Sequence, residues 1–456
     1  MDLFSPLPRA FEREVVDAVG PRHVVYDVDV ASGHASDWTG RFTAVPVPVV
    51  RPGNSAEVTA VVQAARAHAV ALVPQGGNTG LVGGGVPMDG GVVVDLRRLD
   101  DVYDVDCQGG QLSAGAGATI ASVQSAARRA GWAYGVDWSA RDSATIGGSV
   151  ATDAGGLRFL RHGSTRRQLM GIEAVLGTGD VISHLPAVEK DNTGYDLAAV
   201  LCGSEGTLGL ITTVRVRLVR EPAERACALV GFLSVHDAVD AAALLRREVT
   251  DLDAVELMIE SGIELVCDTM GLARPFADPV AAMLLVEVAG NAAATTLART
   301  VEELAGVSAT AVAPDATRRH ALWQYREAHT EAIGRVSPPH KLDVTLPIGA
   351  LGAFIDDVPQ IVASVAPQAR TWLFGHAGDG NVHVNVTGLD PDDDTVDHAV
   401  LSAVVERHGS ISAEHGIGRA KRRWMHLAHT AGDIEAMRLL KAAWDPEGIC
   451  NPGVLI

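Results

Sequence analysis

Gln75-Gly-Gly-Asn-Thr-Gly-Leu-Val-Gly-Gly-Gly-Val86 follows directly on the short apolar run Leu72-Val-Pro74. Residues 75–85 hold six glycines together with Asn78 and Thr79. Glycines clustered at a strand end let backbone N–H groups approach an anion closely and form a nest. The loop is wide enough to wrap a pyrophosphate. It contains no Gly-Lys-Ser/Thr, so it is not a P-loop, and it does not fit the GxGxxG dinucleotide fingerprint. By mechanism alone, an anion nest and a set of ordinary tight turns read equally well. A second block, Ser143-Ala-Thr-Ile-Gly-Gly-Ser-Val-Ala-Thr-Asp-Ala-Gly-Gly156, favours the nest, because a large two-ended cofactor needs more than one cradle.

A different chemistry gathers near the other end. In Trp372-Leu-Phe-Gly-His-Ala-Gly-Asp-Gly-Asn-Val-His-Val-Asn-Val386, apolar residues lead into a Gly-Asp-Gly-Asn turn and an alternating strand leads out. His383 and Asn385 are two apart and share a face of that strand, and His376 ends the incoming one. Ser412-Ala-Glu-His-Gly-Ile-Gly418 offers Glu414, with His415 beside it. Two imidazoles and a carboxylate suit Zn²⁺ or a similar divalent ion with an open position. The spacing alone is equally that of turn and core histidines, and the donor set alone would also serve a flavin-free zinc hydrolase.

The chain has 456 residues, long for one core, and two or three domains are expected. A formal charge of −19 argues against nucleic acid or an anionic membrane surface as a main partner. Met-Asp-Leu-Phe-Ser-Pro-Leu-Pro at the N-terminus has neither a basic nor an apolar leader segment, and no unbroken apolar run of spanning length is apparent, so no membrane span and a cytoplasmic location are expected. Cys107, Cys202, Cys227, Cys267 and Cys450 are scattered outside any CxxC pair and read as structural thiols.

Residues 8–20 read as a helix with Phe11, Val15, Val16 and Val19 on one face. A second helix opens with Ser55 as its cap, and a third runs over 120–130. A helix over 315–334 is capped by Asp315 or Thr317 and stopped by Gly334, which puts Arg326 and Thr330 on one face. Strands are predicted at 72–74, 92–95, around 112–116, at 171–176 and at 283–288. Beyond Val219-Arg-Glu-Pro222 the glycine clusters thin out, which places a domain boundary near 220.

Seven segments in order carry a resemblance. They are Pro74-Gln-Gly-Gly-Asn-Thr-Gly80, Ile146-Gly-Gly-Ser-Val-Ala-Thr-Asp-Ala-Gly-Gly156, Asp191-Asn-Thr-Gly-Tyr-Asp196, Gly203-Ser-Glu-Gly-Thr-Leu-Gly209, Gly375-His-Ala-Gly-Asp-Gly-Asn-Val-His383, Ser412-Ala-Glu-His-Gly-Ile-Gly418 and Asp445-Pro-Glu-Gly-Ile-Cys-Asn-Pro-Gly453. Over roughly residues 40–456 the chain resembles the FAD-linked D-2-hydroxy acid dehydrogenases of the vanillyl-alcohol oxidase-type flavoproteins. The resemblance implies an α+β fold: a two-subdomain FAD-binding domain over 1–220, an α+β substrate domain with an antiparallel sheet over 221–410, and a segment over 411–456 that returns to the flavin. It implies FAD held by Pro74, Gly76, Gly77, Asn78, Thr79, Gly80 and Leu81, by Ser143, Thr145, Gly147, Gly148, Ala151, Thr152 and Gly155, and by Ile211 and Asn451. The first loop lacks the histidine to which relatives often tether the flavin, so non-covalent FAD is expected.

Trp323-Gln-Tyr-Arg-Glu-Ala-His-Thr330 and Lys341-Leu-Asp-Val-Thr-Leu-Pro347 are similar to the substrate segments of the D-2-hydroxyglutarate dehydrogenases. The similarity implies that Arg326, Thr330 and Lys341 bind substrate. A dicarboxylate needs a second cation, which lactate and glycolate enzymes usually lack at the lysine position. Arg326 with Glu327 and Lys341 with Asp343 would otherwise be ordinary ion pairs, and Pro338-Pro339-His340 ahead of the lysine departs from the pattern. On this reading His376, His383 and Glu414 hold the metal, Asn385 hydrogen-bonds the substrate, and His415 binds substrate and takes the hydroxyl proton, or else serves as a positioning group or extra ligand. The reaction is oxidation of a small D-2-hydroxy acid, D-2-hydroxyglutarate first and D-lactate or glycolate as the alternative. An electron-transfer flavoprotein, quinone or cytochrome is the expected acceptor, and a homodimer the assembly carried as an expectation.

Overall fold

The computed structural model describes residues 6–313 and 315–456. Met1–Ser5, part of the stretch read for targeting signals, lie outside them. The chain divides into two compact units. The first comprises residues up to Gly156, Gly163–Glu221 and Glu414–Ile456; the second comprises Leu157–His162 and Pro222–Ala413.

The first unit contains two principal sheets. A four-stranded one runs in the order Val24–Val25, Val49–Val50, Val92–Asp95, Leu72–Gln75, with the last three strands parallel. Val92-Val-Val is unbroken by polar residues because both its faces are covered, Val92 and Val94 facing one apolar cluster and Val93 another. Helices Arg9–Val19 and Ser55–His68 supply Phe11, Val15, Val58, Val61 and Val62 to the first of these. The helix predicted from Ser55 begins there, but its cap is Asn54, whose side chain accepts from the Glu57 N–H at 2.9 Å. The second sheet is antiparallel, in the order Val102–Asp106, Gln111–Gly115, Gly209–Arg217, Leu169–Leu176, Val181–His184. Near the C-terminus, Leu72 N–H donates to Ile449 and Asn451 N–H donates to Leu72, each at 2.8 Å, which seats the last residues beside the first glycine-rich loop.

The second unit is built on a seven-stranded antiparallel sheet. Its order is Val307–Ala313, Glu224–Phe232, Ala282–Gly290, Leu252–Ile259, Arg370–His376, Asn381–Thr387, His340–Thr345. Helices Glu260–Met270 and Ala316–Glu327 contribute Ile263, Cys267 and Trp323 to a core with Cys227, Leu229, Met258 and Leu285. Helix Ile348–Val365 packs on helices Val235–Glu248 and Thr395–Glu406. With 18 residues and a mean hydropathy of 1.4 it is, by length and composition alone, the one helix among the described residues apolar enough to cross a membrane. It carries Asp356 and Asp357, and it buries Leu351, Phe354, Ile355, Val358 and Val362.

Two features were not read from the sequence. Residues 157–162 belong to the second unit because of charge: Arg158 lies 2.6 Å from Asp253 and 2.5 Å from Glu287, both fully buried, and Arg225 pairs with the same two carboxylates. The helix predicted over 315–334 is two helices, Ala316–Glu327 and His329–Gly334, parted at Ala328. Asp315 caps the first. The His329 ring turns back onto the Tyr325 carbonyl at 2.8 Å, an acceptor the helix would otherwise use.

Candidate active site

Strand register builds the site on one face of the seven-stranded sheet. Glu256 is directly opposite His376, Phe374 is opposite His383, His383 is opposite Asp343, and Asn385 is opposite Lys341. Directly paired residues project to the same side. Glu256, His376, His383, Asp343, Lys341 and Asn385 therefore form a polar row on one face of the sheet, and all six are buried. The rings of His376 and His383 lie edge to face with centroids 5.2 Å apart.

Each imidazole meets a carboxylate through its Nδ1. His376 Nδ1 hydrogen-bonds Glu256 Oε1 at 2.7 Å, and His383 Nδ1 lies 3.1 Å from Asp343 Oδ1. For His376 the carboxylate accepts the Nδ1 proton, which puts its lone pair on Nε2. Burial alone would raise the Glu256 carboxyl; the His376 and Arg326 charges outweigh it and hold the group below the usual range. Asp343 also accepts from Asn381 Nδ2 at 2.8 Å and from the Ala413 N–H at 3.2 Å.

Arg326 reaches this row from helix Ala316–Glu327. Its guanidinium lies over the Phe374 ring at 4.7 Å, with Nε 2.7 Å from Glu256 Oε2 and Nη2 3.5 Å from His376 Nε2. Its acidic partner is thus Glu256, not the neighbouring Glu327. Lys341 Nζ donates to Asn385 Oδ1 at 3.3 Å, so Lys341, Asn385, Arg326, His376 and His383 share one face. The Pro-Pro-His stretch leads directly into this strand, with His340 buried against Asp397 at 3.2 Å. Thr330 falls on the short second helix, half-buried. His329 stacks on Phe374 with centroids 4.8 Å apart, and burial, reinforced by Arg326, pushes its pKa down to about 3.

The remaining expected residues lie in the first unit. Gln75 clasps the first glycine-rich loop by donating to the Gly85 carbonyl at 2.5 Å. The loop presses on the second block: a Cβ on Gly76 would meet Thr145 Oγ1 at 2.0 Å, and one on Gly77 would meet the Ser143 carbonyl oxygen at 1.9 Å. At Gly80 a Cβ would meet nothing within 4 Å. Asn78 takes a positive φ of 50° and donates to the Ser36 carbonyl, while Pro74 packs against Gly206 and Thr79 and Leu81 continue the loop. Thr145 caps helix Ile146–Thr152, which carries Gly147, Gly148, Ala151 and Thr152, and Gly155 follows it, buried. Ile211 lies in the same apolar core as Ile146 and Val150. Asn451 Nδ2 donates to the carbonyls of Gly84 at 2.8 Å and Glu205 at 2.7 Å. The Glu205 carboxylate accepts from Ile417 N–H at 2.7 Å and Gly418 N–H at 2.8 Å, fixing the turn that carries Glu414 and His415. Glu414 Oε2 accepts from the Gly156 N–H at 2.7 Å, and His415 Nε2 is 3.9 Å from Glu414 Oε1.

Glu256 and Glu205 were missed in the sequence. Both leave a trace: each is a lone carboxylate in an apolar or glycine-rich run, Val255-Glu-Leu-Met258 and Gly203-Ser-Glu-Gly206, where a solvated charge is out of place.

Comparison with known proteins shows the family of the chain. The C-terminal domain of the FAD linked oxidases matches residues 221–455, and an FAD binding domain matches residues 46–184. The chain belongs to the FAD-linked oxidase family. Among its relatives, a D-2-hydroxyglutarate dehydrogenase of Xanthomonas citri pv. viticola is 36% identical, with 92% of each chain covered. A putative mitochondrial D-lactate dehydrogenase of Schizosaccharomyces pombe is 32% identical, over 91% of this chain and 83% of that one. Among solved structures, substrate-bound p-cresol methylhydroxylase superposes with a TM-score of 0.78 at 14% identity, covering 98% of this chain and 97% of that one, which establishes the vanillyl-alcohol oxidase-type fold. Both glycine-rich blocks of this FAD-linked oxidase fall within the matched FAD binding domain. It is an FAD-dependent oxidoreductase, and the flavin-free hydrolase permitted by the donor set alone is set aside.

Proposed function

We propose that this FAD-linked oxidase oxidises D-2-hydroxyglutarate to 2-oxoglutarate. The observation that carries the reading is that two buried cations, Arg326 and Lys341, share one sheet face with His376, His383 and Asn385. A buried cation is costly unless something anionic answers it. Arg326 pairs with Glu256 at 2.7 Å, and Lys341 Nζ donates to Asn385 Oδ1 on the same face, a second cation that suits the distal carboxylate of a diacid.

The residues fit both expected groups. His376 and His383 each have Nδ1 facing a carboxylate and Nε2 turned elsewhere, the arrangement of histidines that ligate zinc. They would hold a divalent ion, Zn²⁺ by donor type, with Glu414 as the anionic third ligand. For FAD, the contact of Gly76 and Gly77 with Ser143 and Thr145 joins the two blocks into one cradle, and Gly80 keeps an open face. The buried Asn451 Oδ1 has no hydrogen-bond donor among the described residues, as suits an acceptor completed by a ligand. The first loop offers no histidine, which favours a non-covalently held flavin. When bound, the ion supplies Lewis acidity at the α-hydroxyl and FAD supplies the acceptor for the Cα hydride.

The chain's own residues do the rest. Arg326 pairs with the α-carboxylate, Lys341 with the distal one, Asn385 and Thr330 donate hydrogen bonds, and His415 accepts the hydroxyl proton as the C–O bond becomes a carbonyl. Turnover then requires reoxidation by an electron-transfer flavoprotein, quinone or cytochrome. The relative named as a putative D-lactate dehydrogenase supports a second reading, a monocarboxylate substrate on the same scaffold.

Anaerobic flavin bleaching with D-2-hydroxyglutarate, D-lactate and glycolate decides between them. Fastest reduction by D-2-hydroxyglutarate is expected; equal or faster bleaching by D-lactate moves the assignment to the monocarboxylate.

A further inference from the structure

Glu256 has no task in the reaction as written, yet it touches two groups that do. It occupies the middle of strand Leu252–Ile259 and is 1% exposed. Its two oxygens are divided. Oε1 hydrogen-bonds His376 Nδ1, directly across the strand pair, and Oε2 forms an ion pair at 2.7 Å with Nε of Arg326, which descends from a helix. Beyond this ion pair the guanidinium extends its Nη groups, and with Nδ1 turned to Glu256 the His376 ring presents Nε2 on its other edge. Arg326 Nη2 and His376 Nε2 meet at 3.5 Å. One carboxylate therefore aims a cation and a metal-ligating lone pair at the same small volume. A ligand with a carboxylate next to a hydroxyl would engage both.

We propose that Glu256 is a positioning residue that sets the Arg326 guanidinium and the His376 tautomer together, and so couples metal affinity to binding of the α-hydroxy-carboxylate. This rests on the assignment of Arg326 to substrate and His376 to the metal. Linkage is reciprocal: if the carboxylate ligand tightens metal binding, the metal tightens binding of the ligand by the same factor.

The test is Glu256→Gln in the full-length holoenzyme. The amide has one acceptor oxygen where the carboxylate has two, and its NH₂ opposes whichever donor it meets, so Arg326 and His376 cannot both be satisfied. Zinc affinity is measured by competition with a chromophoric chelator, with and without D-2-hydroxyglutarate, and KM and kcat are measured at saturating zinc. Zinc affinity is expected to fall about 10–100-fold and KM to rise by about tenfold or more, while kcat at saturation changes by less than about threefold. The tightening of zinc binding by D-2-hydroxyglutarate seen in the wild type should shrink in the variant. Arg326→Ala should move KM and leave zinc affinity without substrate in place; His376→Ala should do the converse for zinc. A Glu256→Gln protein with both zinc affinity and KM near wild type, or with one of them moved alone, overturns the inference. A lowered unfolding midpoint with neither moved assigns Glu256 a purely structural role and also overturns it. If Glu256→Gln does not fold, Glu256→Asp, which keeps the charge and withdraws it by one methylene, carries the same expectation. A wild type that binds no zinc, together with an Arg326→Ala variant of unchanged KM, overturns the functional reading and this inference with it. Normal wild-type zinc binding with an unmoved Glu256 variant overturns the inference alone.

Discussion

Asp343 stands directly opposite His383 across an antiparallel strand pair, its Oδ1 3.1 Å from the ring Nδ1, just as Glu256 stands opposite His376 one strand pair away. The sheet thus gives each imidazole its own buried acid by register alone. Asp343→Asn removes the buried charge that faces the His383 ring. Zinc affinity, measured by chelator competition on the purified protein, should fall about 10–100-fold. Unchanged affinity would mean that Asp343 serves only its bonds to Asn381 and the Ala413 N–H.

Lys341 answers the question of substrate size. A charge-assisted hydrogen bond contributes about 1.5–3 kcal/mol, so Lys341→Ala should lower kcat/KM for D-2-hydroxyglutarate about 10–100-fold. D-lactate has no distal carboxylate, and its kcat/KM should change by less than about threefold. Equal losses on both acids would place Lys341 in the packing of the sheet and not in substrate recognition.

Burial pushes His329 down to about 3 and His162 down to about 4. The folded pKa lies below the ordinary value near 6.5, so in the window between them the unfolded chain binds more protons than the folded one. Stability is full above about pH 6.5 and is lost as pH falls toward the folded values, at about 1.4 kcal/mol per pH unit for each such histidine. His329→Leu should therefore unfold with a shallower dependence on pH between 7 and 5, measured by urea denaturation, whatever its stability at pH 7. A dependence as steep as wild type would show that His329 is charged in the folded protein or exchanges its burial for solvent.

What could be read in advance followed the range of the interaction. Glycine blocks, the His376–His383 hairpin and the strand alternation are local, and their spacing is visible in the chain. The acid that meets Arg326 is 70 residues upstream, on a strand whose register against Arg370–His376 no local pattern encodes. The only trace is a carboxylate within Val255-Glu-Leu-Met258, and a charge in an apolar strand signals burial without naming its partner. Leu157–His162 joins the second unit through Arg158; Gly155-Gly156 and Gly163 bracket the segment, but a glycine signals a turn without naming the unit the chain enters next. The break at Ala328 follows no helix-breaking residue; the His329 ring that folds back on the Tyr325 carbonyl beside it is a contact no local pattern announces.

Two glycines of the first loop separate packing from ligand binding. At Gly77 a Cβ would lie 1.9 Å from a backbone carbonyl, Ser143, which cannot yield as a flexible side chain would. Gly77→Ala must push residues 75–85 away from residues 143–145, and the protein should be purified pale, with a lowered unfolding midpoint and little flavin. Gly80 has no positive φ and no neighbour within 4 Å of its Cβ position, so Gly80→Ala should fold with wild-type stability as the apoprotein, within about 0.5 kcal/mol. If the loop cradles the flavin's pyrophosphate, that added methyl stands where the ligand approaches, and FAD affinity by fluorescence titration should drop about tenfold or more with the fold intact. A Gly80→Ala protein that keeps both stability and FAD affinity would show that the phosphates lie against another part of the loop, and a loss of stability would show that Gly80, like Gly77, is a packing glycine.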